Sequence, residues 1–444
     1  MSEQRVSVVG AGLAGCEAAF QLAERGIQVD LFEMKPQKMS PAHHSGDFCE
    51  LVCSNSLRSD RIENAVGLLK AELRILGSLI LRVADETRVP AGGALAVDRE
   101  GFSARVSEII RKHPSITIHS EEVTRVPERP CILASGPLTS DVLAEDIARL
   151  TGEALHFYDA AAPIVTLDSL DMTKVYRASR YGRGDDYLNC PMTREEYEVF
   201  YRALISAETA ELHAFETPRV FEGCMPVEVM AKRGEQTLCY GPLKPVGLEV
   251  DGKEPYAVVQ LRQDDKDGRL FNLVGFQTNL KFAEQRRVFG LIPGLEHAEY
   301  ARYGVMHRNT FLNSPKLLDH NYQMRTMPEL YFAGQMTGVE GYVESASSGF
   351  LAAVSLARQL GGKEAIDFTA KTAIGSLGHY VSGYVGDDFQ PMNVTFGIME
   401  SIPERIRKKA LRYAKVAERA LEIVQTLQPE LDCSSEPFAQ TTEL

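Results

Sequence analysis

The chain has 444 residues, of which 44% are hydrophobic and 25% are charged, a composition typical of a globular protein with two or three domains. No apolar run approaches the roughly 20 residues needed to cross a bilayer. The N-terminus lacks a signal-peptide pattern, so we expect no membrane association. Eight scattered cysteines do not follow the spacing of a disulfide framework, which favours a reducing cytoplasm. The net charge of −13 excludes a protein that coats nucleic acid indiscriminately, but it leaves room for a local basic face.

The first 33 residues predict a βαβ unit that binds a dinucleotide. A short apolar strand over Val6–Val9 leads into a helix from about Leu13 to Arg25, and a second strand runs from Gln28 to Phe32. The turn between strand and helix fits the pattern G-x-G-x-x-G and comprises Gly10, Ala11, Gly12, Leu13, Ala14 and Gly15. This glycine motif indicates a dinucleotide site because it lies between a strand and a helix. We therefore assign its residues to cofactor binding.

Each glycine of this motif has its own task. Gly10 permits the tight turn, Gly12 lets backbone N–H groups approach a pyrophosphate, and Gly15 lets the helix and strand pack closely. The positive end of the helix dipole then faces the phosphates. Glu33 closes the second strand, where a carboxylate accepts hydrogen bonds from ribose hydroxyls and disfavours a 2′-phosphate.

A second glycine-rich segment selects FAD over NAD. A strand over 330–334 is followed by a loop and then by a helix over Glu344–Leu360. Two glycines directly after Leu360 end this helix. Flavoproteins hold the ribityl chain in such a loop, and the helix N-terminus points at the pyrimidine end of the isoalloxazine. The alternative is a close-packed corner between helix and strand. We assign Gly334, Gln335, Gly341 and Tyr342 to FAD binding.

The middle of the chain differs in composition from the nucleotide-binding segments. Residues 40–60 predict a functional loop, Leu68–Leu81 a helix, and Cys131–Ala134 a buried strand. From about 160 to 320, tyrosines, phenylalanines and strand-like runs such as Tyr256–Leu261 indicate a second α/β domain. We therefore predict an α/β fold, with a Rossmann-like FAD-binding domain of the glutathione-reductase type and an inserted domain that faces the substrate. The boundaries are 1–158 and 325–444 for the first domain and 159–324 for the second.

Seven segments, spread in order over nearly the whole chain, match one protein family. They are GAGLAGCEAA, FCELVCSNSLRSD, GALAVDREGFS, FEGCMPVEVMAKRG, YGPLKPVGL, FAGQMTGVEGYVESASSG and MNVTFGIM. Through them the chain resembles the folate- and FAD-dependent tRNA (uracil-5-)methyltransferases, the TrmFO family, and LVCSNSLR with FEGCMP is the most specific part. That family usually has a small residue at the position of Cys49, which argues against a functional role for this thiol.

The resemblance implies methylation of the T-loop uridine, tRNA position 54, at C5. Methylenetetrahydrofolate would be the carbon donor, NAD(P)H the reductant and the tRNA T-arm the partner, and nothing in the sequence indicates an obligate protein partner. Two alternatives remain open. One is an FAD- and folate-dependent modifier of wobble uridine, a related class with a long helical C-terminal extension that this sequence does not show. The other is a flavin-carrying RNA-binding protein without turnover.

Two cysteines are the candidate catalytic residues. Uracil C5 becomes nucleophilic only after a group adds at C6, and a thiolate is the usual agent. Cys53 lies near Arg58, and Cys224 has basic residues downstream, so cations could stabilise either thiolate. Without further information, a cysteine is most often a buried apolar residue of the core. The family resemblance makes a catalytic role the better interpretation for Cys53 and Cys224. We assign the attack on C6 to Cys224. Cys53 then acts as the base or guards the bound one-carbon unit.

We expect no metal site in this chain. Two adjacent histidines and two nearby cysteines lack the spacing of zinc ligands, namely His43, His44, Cys49 and Cys53.

Two basic segments could contact the tRNA backbone or form solvated faces. One basic segment, predicted as a C-terminal helix, holds Arg405, Arg407, Lys408, Lys409, Arg412, Lys415 and Arg419. The other interleaves arginines with aromatic rings that could stack on bases and holds Tyr176, Arg177, Arg180, Tyr181 and Arg183.

Overall fold

The computed structural model describes residues 5–40, 42–152, 155–182, 184–210, 225–250, 252–386, 389–404 and 406–431. The strands are β1 (Arg5–Val9), β2 (Gln28–Glu33), β3 (Ser56–Ser59), β4 (Arg88–Val89), β5 (Ala94–Val97), β6 (Ile116–Ser120), β7 (Cys131–Leu133), β8 (Leu155–Ala160), β9 (Ile164–Thr166), β10 (Tyr176–Ala178), β11 (Tyr187–Met192), β12 (Ala257–Gln263), β13 (Leu270–Leu273), β14 (Tyr300–Arg302), β15 (Met306–Phe311) and β16 (Leu330–Phe332). The helices are α1 (Leu13–Ala23), α2 (Ala65–Ile75), α3 (Leu79–Glu86), α4 (Arg99–Lys112), α5 (Asp141–Thr151), α6 (Arg194–Ile205), α7 (Val227–Ala231), α8 (Thr237–Tyr240), α9 (Phe282–Phe289), α10 (Ser314–Leu317), α11 (Tyr342–Leu360), α12 (Ala373–Gly383) and α13 (Lys409–Leu427).

A parallel five-stranded sheet carries the predicted nucleotide-binding unit. Its strand order is β16-β7-β1-β2-β6, and every neighbouring pair is parallel. Helix α1 connects β1 to β2 and is buried along its whole length, because α11 packs against it. The carboxyl ends of β1, β2, β7 and β16 therefore lie along one edge, the edge at which open α/β sheets bind ligands.

A six-stranded antiparallel sheet forms the centre of the other half of the fold, in the order β10-β11-β12-β13-β9-β14. Two separate apolar cores accompany the two sheets. The first draws its buried residues from 6–147 and 311–431, and the second from 165–295. Strands β8 and β15 pair antiparallel where the chain passes between the two halves.

The single helix predicted over Leu68–Leu81 is wrong, because the structure has two helices there. Helix α2 ends at Ile75 and α3 begins at Leu79, and Gly77 between them has a φ of +77°, which ends a helix. The Glu17 carboxylate of α1 accepts hydrogen bonds at the start of α3, from Leu79 N–H (3.2 Å) and Ile80 N–H (3.0 Å). A hydrophobic period cannot show this break, since both helices pack on the same core.

A second buried carboxylate joins distant helices in the same way. Glu72 of α2 accepts hydrogen bonds from Ala373 N–H (2.7 Å) and Ile374 N–H (2.8 Å), the first residues of α12. Burial raises the pKa of Glu72 to about 7. These two hydrogen bonds fix α12 against α2, and the positive end of the α12 dipole faces the Glu72 carboxylate. Among the helices described, none is long and apolar enough to cross a membrane.

Candidate functional site

The three glycines of the first turn meet different surroundings. A Cβ at Gly10, whose φ is +96°, would lie 2.6 Å from the Ala134 carbonyl oxygen. A Cβ at Gly15 would lie 1.8 Å from the Gly10 oxygen, so helix α1 and strand β1 pack too closely for any side chain. A Cβ at Gly12 would meet no atom within 4 Å. Gly12 therefore has no packing reason to be glycine, which fits a position that a ligand approaches.

Glu33 lies at the end of β2, directly beside this turn. Its Oε2 accepts a hydrogen bond from Ala11 N–H (2.8 Å), and its Oε1 accepts one from Lys35 N–H (3.0 Å). A carboxylate has about four acceptor positions, so about two remain beyond these bonds. The side chain thus fixes the shape of the turn and keeps acceptor capacity next to it.

The second glycine-rich segment follows β16 on the same sheet edge. Gly334 (φ +83°) and Gly341 (φ +113°) adopt backbone conformations that favour glycine. Gly349 has a different role, because a Cβ there would lie 2.2 Å from the Ala14 oxygen of α1. Close packing therefore explains Gly349, and at Gly341 it adds to the requirement of the positive φ, because a Cβ there would lie 2.4 Å from Glu344 Oε2. Gln335 donates to Glu340 Oε2 (2.7 Å) across that loop.

The phenol of Tyr342 connects this loop to Cys53. Tyr342 is the first residue of α11, and its hydroxyl oxygen accepts hydrogen bonds from Cys53 N–H (2.9 Å) and Ser54 N–H (3.2 Å). Burial raises the pKa of Tyr342 above its usual range, so the phenol stays neutral. Cys53 is half-buried. The structure thus brings two residues predicted separately, Cys53 and Tyr342, into one site.

Two arginines hold the segment that carries Cys53. Arg99 pairs with both oxygens of Asp264 (2.9 and 3.0 Å) and also donates to the Leu51 carbonyl. Although burial opposes its charge, the pairing with Asp264 raises the pKa of Arg99. Arg262 of β12 donates to Ser54 Oγ (2.6 Å) and to the Asn55 side chain (3.1 Å). The segment is therefore fixed on both sides of Cys53.

A third arginine completes a cationic environment around the thiol. Arg302 of β14 donates to the Ala42 carbonyl (3.4 Å), and its charge interacts with that of Cys53. Cys53 interacts in the same way with Arg99 and Arg262. Burial lowers the pKa of both Arg262 and Arg302. Because Arg99 and Arg262 are hydrogen-bonded to Leu51 and Ser54, on either side of Cys53, a thiolate there would meet positive charge.

These three arginines are not among the site residues predicted from the sequence. Arg99 lies in the quoted segment GALAVDREGFS, and Arg262 interrupts an apolar strand, which is a detectable signal for a buried polar role. Arg58, the neighbour predicted from the sequence, instead pairs with Glu344, whose side chain is fully buried on α11. Local sequence distance was therefore a poor guide to the cations that surround Cys53.

Cys49 lies behind the glycine turn. It is buried, has a φ of +52°, and donates its N–H to the Ala11 carbonyl (2.9 Å). The Cys16 thiol donates to the same carbonyl (3.3 Å), and burial together with a hydrogen bond to Cys49 raises the pKa of Cys16 well above its usual range. These two thiols therefore pack behind the turn.

Cys224, the other predicted catalytic residue, lies outside the described residues. The chain on either side of 211–224 is anchored at neighbouring positions. Ala210 N–H donates to the Asn279 carbonyl (2.8 Å), and Val227 N–H donates to the Gln277 carbonyl (2.7 Å). Both ends thus meet the stretch 277–279, which precedes α9.

The two basic segments differ from the prediction in part. Helix α13 begins only at Lys409, and Arg419 donates to the carbonyls of Lys371 and Glu400, so it is a structural residue. In the second segment Arg180 donates to the Pro242 carbonyl (2.6 Å), whereas Arg177 and Tyr181 are exposed. Arg183 and Arg405 lie outside the described residues. The exposed cations of the first segment are Arg407, Lys408, Lys409, Arg412 and Lys415.

Nothing in the described part of the chain forms a group of three His, Cys, Asp or Glu side chains that could hold a metal ion. Of the four residues weighed for zinc, His43 is hydrogen-bonded to Ser40 Oγ (2.5 Å) and Cys49 packs behind the glycine turn.

The sequence and the fold are similar to those of known proteins. The family described as Glucose inhibited division protein A matches residues 5–364. A methylenetetrahydrofolate–tRNA-(uracil-5-)-methyltransferase TrmFO of Listeria welshimeri is 59% identical over 433 residues, covering 97% of this chain and 100% of that protein. The protein of the same name from Acetivibrio thermocellus is 61% identical over 426 residues, covering 95% and 98%. The structure of Aquifex aeolicus GidA in the form I crystal has a TM-score of 0.71 at 17% identity, covering 98% of this chain and 77% of that one, which shows a shared fold.

These findings confirm the predicted fold class and the family resemblance. The chain belongs to the TrmFO family, within the wider family described as Glucose inhibited division protein A.

Proposed function

We propose that the protein is a methylenetetrahydrofolate-dependent tRNA (uracil-5-)-methyltransferase that acts on the T-loop uridine at tRNA position 54. The relatives that carry this name match the chain over nearly its whole length at 59% and 61% identity. The observation that carries the proposal is the placement of Cys53. Arg99 and Arg262 are hydrogen-bonded to the residues on either side of it, and its backbone N–H donates to Tyr342, next to the glycine loop of β16.

The residues present fit FAD. Gly10–Gly15 would hold the pyrophosphate at the start of α1, where Gly12 leaves open space, and Glu33 would bind the adenosine ribose. Gly334, Gln335, Gly341 and Tyr342 would hold the other end of the cofactor. When bound, FAD supplies the hydride that converts the transferred methylene carbon into a methyl group, at the expense of NAD(P)H.

The two cysteines divide the remaining chemistry. Addition of the Cys224 thiolate to uracil C6 would break the C5–C6 π bond and make C5 nucleophilic. C5 then bonds to the methylene carbon of the folate, Cys53 removes the C5 proton, and the electron pair left at C5 expels the folate nitrogen, so that the carbon–nitrogen bond breaks. When a hydride reaches the methylene carbon now doubly bonded to C5, the C5–C6 double bond forms again and the Cys224 thiolate departs. Arg99 and Arg262, which are hydrogen-bonded to residues on either side of Cys53, would hold the segment that carries this thiol in place.

A direct assay tests the proposal. The purified protein is incubated with methylenetetrahydrofolate, NADPH and unmodified tRNA, and the digested tRNA is analysed for 5-methyluridine. We expect 5-methyluridine at position 54 only when all components are present. Modification at the wobble position instead, or flavin reduction without any change in the tRNA, would support one of the two alternative functions.

Binding of tRNA should weaken steeply with salt, because Lys and Arg displace condensed counterions from phosphates. Neutralising Arg407, Lys408 and Arg412, which are all exposed, should reduce the slope of log K against log salt by about two to three units, roughly 0.7–0.9 per phosphate contact. The slope is measured by titrating tRNA at several salt concentrations.

The matched control neutralises three exposed cations that already pair with carboxylates, Arg105, Lys112 and Arg149. Its slope should equal that of the unaltered protein. An equal slope in both triple variants would make the basic surface near α13 a solvated face.

We also propose the domain organisation 1–158 with 325–444 and 159–324, which the two separate apolar cores support. We place the activity in the cytoplasm, where tRNA, folates and NAD(P)H meet. The proposed function requires no protein partner.

A further inference from the structure

Three aromatic rings form a ladder beside the second sheet. The Phe282 ring stacks on Tyr303 with 4.6 Å between ring centroids and 18° between planes, and Tyr303 stacks on Tyr300 at 4.8 Å and 9°. Tyr303 covers one face of the Phe282 ring, yet 50% of the Phe282 surface stays exposed. A large exposed ring in a stack is a surface that can accept one more flat group.

The ladder is rigid. Gln285 of α9 donates to the Gly304 carbonyl (2.7 Å) and accepts from Gly304 N–H (2.9 Å), directly after Tyr303. The Tyr300 hydroxyl donates to the Gln285 carbonyl (3.3 Å). These bonds fix both tyrosines to the helix that carries Phe282, so the ladder needs no ordering when a ligand binds.

A cation accompanies the rings. The Arg286 guanidinium lies over the Tyr303 ring, 5.7 Å from its centroid. Its basic neighbours are neutralised, since Lys281 pairs with Glu208 (2.7 Å) and Arg287 with Glu284 (2.6 Å). In the described residues no carboxylate pairs with Arg286, so its charge is available to a phosphate.

Two neighbours of the ladder in the sequence are connected to the candidate site. Arg302, whose charge interacts with Cys53, lies between Tyr300 and Tyr303 in the sequence. Residues 277–279, which anchor the chain on both sides of 211–224, lie just before Phe282.

From these contacts we infer that the Phe282–Tyr303–Tyr300 ladder, with Arg286, is a stacking site for an unpaired base of the RNA substrate. The inference rests on the proposed function, because it requires RNA at this site. Unpaired bases stack on aromatic rings, whereas bases inside a duplex already stack on one another and expose no face. The ladder would thus select RNA with an open loop, and Arg286 would bind the adjoining phosphate.

The test uses the full-length, FAD-loaded protein and two RNA probes. One probe is an unmodified T-arm hairpin, and the other is a fully paired RNA duplex with the same number of phosphates. We expect Phe282→Ala to raise the Kd for the hairpin about tenfold and to leave the Kd for the duplex unchanged. Phe282→Tyr keeps the ring and should bind both probes as the unaltered protein does.

Val199→Ala removes another exposed apolar side chain, 56% exposed on α6, and serves as the matched control that changes neither Kd. The melting temperature and flavin absorbance of each variant report folding. An unchanged hairpin Kd in Phe282→Ala, or an equal loss on both probes, would overturn the inference. Formation of 5-methyluridine by the unaltered protein tests the proposed function separately, so the two can fail independently.

Discussion

Replacing Gly12 with valine is expected to abolish FAD retention while the protein stays folded. A Cβ at Gly12 meets no protein atom within 4 Å, and its φ of −77° suits any residue, so the fold tolerates a side chain there. The same side chain would occupy the space through which backbone N–H groups approach the pyrophosphate. The measurement is the ratio of flavin to protein after purification, together with the melting temperature in the presence of added FAD.

Two further variants separate ligand exclusion from folding defects. Gly383→Val is the matched control, because a Cβ at Gly383 also meets no atom within 4 Å, and it should retain stoichiometric FAD. Gly15→Ala should fail at folding instead, since its Cβ would lie 1.8 Å from the Gly10 oxygen. Stoichiometric FAD in Gly12→Val would show that the turn does not bind the pyrophosphate.

The glycine turn is the part of the candidate site that the sequence predicts well. The turn after β1 is a local motif, so its glycine spacing fixes strand, turn, helix and acid within 33 residues. Glu33 was predicted as a ribose ligand, and its bonds to Ala11 and Lys35 are consistent with that place in the turn.

The surroundings of Cys53 could not be predicted in the same way. Arg99, Arg262 and Arg302 come from α4, β12 and β14, and only the folded chain brings them to one thiol. Proximity in the sequence predicts Arg58 as the cation beside Cys53. In the structure, however, Arg58 has a φ of +64° and its side chain pairs with Glu344. Tertiary contacts, not spacing along the chain, determine which charges meet.

Substitution of either predicted catalytic cysteine should have the largest effect on turnover. We expect Cys53→Ala and Cys224→Ala each to abolish 5-methyluridine formation, with little loss of tRNA affinity and no loss of FAD. Removing a general base typically costs about 10²–10⁴-fold in rate, and removing the nucleophile at C6 leaves no route to the C5 carbanion. Cys239→Ala is the matched control, because Cys239 is a half-buried thiol like Cys53 and should be dispensable.

The roles of the two thiols are separable with tRNA that contains 5-fluorouridine. Fluorine at C5 cannot leave as a proton does, so the thiol that attacks C6 should stay covalently bound to the RNA. Mass spectrometry of the digested adduct then identifies that cysteine, and we expect Cys224. An adduct on Cys53 would exchange the two roles, and its arginine neighbours would then activate the nucleophile instead of the base. An adduct on Cys49, which is buried behind the glycine turn, or full activity in either alanine variant, would refute the two-cysteine mechanism itself.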